Sequence, residues 1–165
     1  MDNTARLRKD KPAIERLQQG ESLMHRKELP QAEARFGEAL QLAPNDYAGL
    51  CMMARCQLAQ NKHSVAQQYT ARARAINPTE AQAMQLSGIS KLGVRQFGEA
   101  YQELDLFEKR LPGDPGVVFL KGVALESMQD RAGAAREYVR FARAVPQGSQ
   151  SQYAVRRLKE WGYVR

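Results

Sequence analysis

The chain has 165 residues, with 25 Lys and Arg against 18 Asp and Glu, a formal net charge of +7. Hydrophobic residues make up 43% and charged residues 26%, too apolar for a disordered chain, and 12 Gly and 7 Pro exclude collagen-like and low-complexity classes. No apolar run reaches the roughly 18 residues that a membrane span needs. Met1 to Lys11 carry charges and no apolar stretch, so no secretory signal peptide is expected there. The chain can still be a piece of a longer exported protein, and the compartment stays open between cytoplasm and periplasm.

Internal repetition dominates everything else. Pro44, Pro78, Pro112 and Pro146 stand 34 residues apart, as do the small residues Gly20, Ala54, Gly88 and Gly122. Ala32, Ala66, Ala100 and Ala134 keep the same interval. Two further registers run Ala39, Ala73, Phe107, Phe141 and Phe36, Thr70, Leu104, Tyr138. A fixed period of this length is the mark of a helical-repeat solenoid.

In chain order, residues 1–12 form a lead-in and 13–46 the first repeat. Residues 47–80, 81–114 and 115–148 form the second, third and fourth, and 149–165 a capping helix. The whole is expected to be one domain. The second repeat shows the logic of a unit. Asp46 is an N-cap, and Leu50, Met53, Ala54 and Leu58 follow at helical spacing. The pattern breaks around Asn61 to His63, after which Ser64 is expected to cap a second helix carrying Ala66, Tyr69, Ala73 and Ile76 inward. Asn77-Pro78 stops that helix, because proline disfavours helix at the residue before it. Each unit is thus two antiparallel helices of about 12–14 residues. The small-residue registers let the two helices approach closely, and a larger side chain there wedges them apart. Gly133 lies off these registers and is expected to tolerate a side chain. Pro112-Gly113-Asp114-Pro115 reads as helix stop, turn, N-cap and first helical position. Ser149 or Ser151 is expected to cap the last helix, whose apolar side is Tyr153, Val155, Leu158 and Trp161. A solenoid needs such a cap because its last repeat has no neighbour.

Catalytic chemistry finds no foothold. His25 and His63 fall beside turns, and no HExxH, P-loop, GxSxG or GxGxxG motif is present. Cys51 and Cys56 are five apart, which on a helix turns the thiols about 140° from each other, too far to bridge. They read as small packing residues. Glu103 and Asp105 sit at i, i+2, do not face each other, and read as solvated. No metal or cofactor is expected.

The period and the residue types resemble the tetratricopeptide repeat family over Ala13 to Gly148. The first repeat departs from it at Arg16 and Gln19, the second at Thr70, the third at Ser87 and the fourth at Lys121. The resemblance implies an all-α, right-handed α-solenoid of four helix-turn-helix repeats plus a C-terminal capping helix. It also implies a protein–protein interaction scaffold, not an enzyme, whose first helices line a concave groove. Carried over, that groove holds Ile14, Leu17, Met52, Arg55, Leu86, Ile89, Phe119, Leu120 and Val123. One subset of the family grips the terminal carboxylate of chaperone tails with Lys, Asn and Arg at such positions. Here they hold one Arg, no Lys and no Asn. The groove is apolar instead, which suits an amphipathic helix.

The occupant implied is a protein or peptide partner, a second copy of the chain, or a neighbouring domain. A weaker resemblance supplies one such neighbour. Phe119 to Gly122, Met128 to Arg131 and Leu158 to Val164 are similar to the repeat region that follows the catalytic domain of bacterial membrane-associated zinc metalloproteases. Those enzymes serve outer-membrane protein quality control in the periplasm. A third reading is an adaptor docking on acidic surfaces through Arg136, Arg140 and Arg143 on the convex side. Basic clusters at both termini, Arg6 to Lys11 and Arg156 to Arg165, allow peripheral contact with anionic lipid. Nucleic acid is not expected, because no aromatic stacking platform accompanies the basic residues.

Overall fold

The computed structural model describes the backbone of residues 3–164 and the side chains of residues 10–164. Arg6, Arg8, Lys9 and Arg165 of the terminal basic clusters have side chains outside that range. Nine helices and no strand occur among the described residues: α1 (Asn3–His25), α2 (Leu29–Leu42), α3 (Tyr47–Ala59), α4 (His63–Ile76), α5 (Ala81–Gly93), α6 (Phe97–Arg110), α7 (Pro115–Ser127), α8 (Arg131–Ala144) and α9 (Ser149–Glu160). The starts of α3, α5, α7 and α9 are 34 residues apart, and so are those of α2, α4, α6 and α8. The fold class is therefore the all-α helical-repeat solenoid that the period implies. α9 starts in the register of a first helix of a further repeat. α1 begins well before the repeat boundary and runs through Pro12.

The chain packs as two compact units, Met1–Leu86 and Ser87–Arg165, with the boundary inside α5. In the first unit, α1 pairs with α2 and α3 with α4. The core gathers Phe36, Leu40, Leu50, Met53 and Cys56 around the small residues Ala32, Ala39 and Ala54. The glycine register works by contact. A Cβ on Gly20 would stand 2.5 Å from the Phe36 ring, inside any real carbon contact. The second repeat carries Ala54 at that register, and its counterpart, in step with Phe36, is the smaller Thr70; both are fully buried. Both cysteines are buried as free thiols, and burial pushes both thiols up from their ordinary pKa.

The second unit repeats the device. A Cβ on Gly88 would stand 2.6 Å from Leu104, and one on Gly122 2.6 Å from the Tyr138 ring. Its core joins Phe119, Tyr138, Phe141, Ala154 and Leu158, so α9 closes an aromatic cluster. Phe119 lies 5.0 Å from Phe141 and 5.8 Å from Tyr138 between ring centroids. Tyr138 and Tyr153 both donate to Glu126, at 2.6 and 3.0 Å, and Arg157 Nε donates to the same carboxylate at 2.5 Å. The Tyr138 hydroxyl is pushed up by burial first and by Glu126 second.

Lys121, which departs from the repeat's usual leucine, is buried with its ammonium 2.7 Å from Asp105, 2.7 Å from Glu108 and 3.6 Å from Glu137. Burial alone would lower the pKa of that ammonium; the bonds to Asp105 and Glu108 outweigh it, and the ammonium ends raised. Asp105, expected to be solvated, accepts from both Lys109 and Lys121, and the two hold it below the ordinary carboxylate range. Glu103 is likewise paired, with Lys91. The i, i+2 spacing says nothing about partners on neighbouring helices, and those partners decide the matter.

The helix ends differ from expectation in two places. Asp46 and Asp114 do cap α3 and α7, accepting from Gly49 N at 2.7 Å and Gly116 N at 2.8 Å. Ser64 does not cap α4: the helix starts at His63 with Lys62 at the N-cap and no side-chain bond. Glu28 and Gln96 hold the equivalent place before α2 and α6, so repeat packing sets the start and not the local cap residue. Neither Ser149 nor Ser151 caps α9, which begins after Gly148 at φ 115. The turns inside the repeats rest on Lys27, Asn61, Arg95 and Gln129, all in left-handed conformation with φ between 58 and 66 and again 34 residues apart. That register went unread because only Asn61 is a residue type that favours it.

Candidate interaction surface

In the first unit, α1, α3 and the α2–α3 turn enclose an open cavity of about 740 Å³. Its walls come from three local causes. The helical repeat of α1 brings Asp10, Ala13, Ile14, Leu17 and Glu21 onto one side. Pro44 ends the preceding helix and turns the chain so that Leu42 to Asp46 form the second side. Ala48 and Met52, one helical turn apart on α3, form the third. Ala13 and Leu17 are buried and make the floor, whereas Ile14 is 47% exposed and Leu42 57%. Among the residues that the repeat pattern assigns to the groove, Ile14, Leu17 and Met52 meet in this cavity. Arg55 is exposed and does not line it. Leu42 was missed, because it belongs to a second helix and lies in the groove only through the turn after it.

Leu86 is buried and belongs to the first unit's core. In the second unit Phe119 is spent on the aromatic cluster, while Ile89, Leu120 and Val123 are half-buried. A Leu86→Ser change thus strikes packing, and Leu120→Ser is the cleaner probe of a surface.

Of the four arginines of α8, the three assigned to a basic face are unequal. Arg136 and Arg143 are exposed. Arg140 is tied to Glu137 at 2.6 Å and also pairs with Glu108, so its charge is matched within the unit. Among the described residues no group of three or more His, Cys, Asp or Glu side chains is placed to hold a metal ion. Among them too, no helix is long and apolar enough to cross a membrane.

Comparison with known proteins gives the same architecture. Residues 23–87 match the family model for the tetratricopeptide repeat. A MamA fragment from Desulfovibrio magneticus RS-1 is similar in structure, with a TM-score of 0.75 at 19% identity over 83% of this chain and 78% of that one. PilF of Pseudomonas aeruginosa is similar with a TM-score of 0.78 at 19% identity, over 94% of this chain and 71% of that one. The first such domain of Spaghetti (RPAP3), solved with the HSP90 peptide SRMEEVD bound, gives a TM-score of 0.70 at 13% identity, over 73% and 95%. No curated protein matches the chain in sequence.

Proposed function

We propose that this chain, built of tetratricopeptide repeats, is a non-catalytic protein-interaction module that holds a segment of a partner protein in the groove of its first unit. The observation that carries this reading is the cavity of about 740 Å³ floored by Ala13 and Leu17, with Ile14 and Leu42 left exposed on its walls. Apolar side chains gathered in one concavity are the usual basis of peptide capture, since binding removes their area from water. The peptide-bound Spaghetti domain supports a peptide as the general class of ligand. Its acidic ligand is a poor guide here, because no Lys or Arg is among the described residues that line the cavity.

The test is capture of partners by the wild type and by two variants, with the bound proteins identified by mass spectrometry. Ile14→Ser with Met52→Ser should abolish capture while far-UV circular dichroism stays unchanged. Arg136→Gln with Arg143→Gln should leave the captured set intact. The reverse pattern would move the functional surface to α8.

A further inference from the structure

We infer that the first unit's groove selects a cationic amphipathic helix, an inference that rests on the proposed reading of that groove as the binding surface. The charge around the cavity is opposite to that of the molecule. The chain carries 25 Lys and Arg against 18 Asp and Glu, yet the described residues lining the cavity include Asp10, Glu21 and Asp46 and no Lys or Arg. Asp46 is fixed in place, with one oxygen accepting from Gly49 N at 2.7 Å. Asp10 and Glu21 stand at opposite ends of the α1 wall, eleven residues apart, or about 17 Å along the helix. Three turns of a partner helix match that length. Its apolar stripe at i, i+3 or i+4 and i+7 would cover Ile14, Leu42 and Met52, and Lys or Arg on its flanks would meet the acidic rim. Charge of one sign lining a cleft in a molecule of the other sign gives orientation and selectivity beyond what area provides.

The test uses two synthetic helical peptides of about four turns with the same leucine stripe, one with Lys and one with Glu at every other position. Fluorescence anisotropy at near-physiological salt measures both. The wild type should bind the Lys peptide at least about tenfold more tightly than the Glu peptide. The net charge of +7 favours the Glu peptide in bulk, so a Lys preference has to arise locally. Asp10→Asn with Glu21→Gln should erase the preference, and Ile14→Ser with Met52→Ser should erase binding. Equal or tighter binding of the Glu peptide that is still lost in the Ile14/Met52 variant keeps the groove and overturns the cationic inference. Binding of the Lys peptide that survives Ile14→Ser with Met52→Ser overturns the groove itself. Concentration-dependent dimerisation in sedimentation, abolished by Ile14→Ser, makes a second copy the occupant and also overturns the inference, as does failure of both peptides to bind.

Discussion

At the scale of single residues, the repeat is held by matched volumes. Gly20, Gly88 and Gly122 leave room for Phe36, Leu104 and Tyr138, while Ala54, in the glycine register, is matched with the smaller Thr70 in the register of Phe36. The pattern in the sequence revealed the register but read Thr70 as a departure; paired with Ala54, it is the smaller partner of a bulkier neighbour. Gly88→Leu should cost about 3 kcal/mol or more in denaturant unfolding, because the added atoms meet Leu104 with nowhere to go. Thr70→Phe should destabilise alone and be rescued by Ala54→Gly, with a coupling of about 1–3 kcal/mol in a double-mutant cycle. Gly133 is a poorer control than its register suggested. A Cβ there would stand 2.3 Å from the Asp130 carboxylate, which caps α8 through Gly133 N. Gly133→Ala should therefore gain helix propensity and lose a cap, for a net change near zero. Gly98→Ala, whose Cβ meets only Met128 at 3.7 Å, should gain about 0.5–1 kcal/mol. Cys51 and Cys56 should react with a thiol reagent only after unfolding, since burial both shields them and disfavours the thiolate.

At the scale of helices and their junctions, local signals and repeat packing compete. Asp46 and Asp114 were readable as caps because each precedes a helix whose start coincides with the pattern. Ser64 was misread because every second helix starts at the same point of the 34-residue frame, whatever residue stands there. Ion pairing between helices was not readable, because the carboxylates and Lys121 come together only across α6, α7 and α8. Lys121→Leu brings in the leucine usual at this position of tetratricopeptide repeats, yet it should cost about 2 kcal/mol. It strips a cation from three carboxylates, of which Asp105 keeps Lys109, and Glu108 and Glu137 keep Arg140. Acid should weaken the fold for the same reason. Glu33 is held down to about 2 by hydrogen bonds from Gln57, Lys62 and Gln60, and Asp105 and Glu108 are also lowered. A carboxylate lowered in the folded state contributes stability above its ordinary value, and that contribution drains as pH falls through the folded one. Unfolding free energy should thus drop between about pH 4.5 and pH 2, and Glu33→Gln should flatten the drop. Lys121 stays charged throughout that window, because its shift is upward.

At the scale of the whole molecule, the repeat class was fully visible in the sequence, because four copies of one period leave little freedom. The surface was visible only in part. Inward-facing positions can be counted from the repeat, but which of them remain open depends on neighbours: Leu17, Leu86 and Phe119 are taken into packing, Met52 packs in part against the core, and Ile14 stays exposed. The acidic rim was hidden by the net charge of +7, which points the opposite way. The most direct measurement is NMR of the side-chain methyl and arginine Nε–H signals of the intact chain titrated with the lysine-flanked helical peptide. The Ile14 and Met52 methyl signals should shift and saturate together, while Val139 and the Arg136 and Arg143 side-chain signals of α8 stay in place. Shifts confined to α8, with Ile14 and Met52 unmoved at saturation, would show that binding lies elsewhere and that the first unit's groove is not the functional surface.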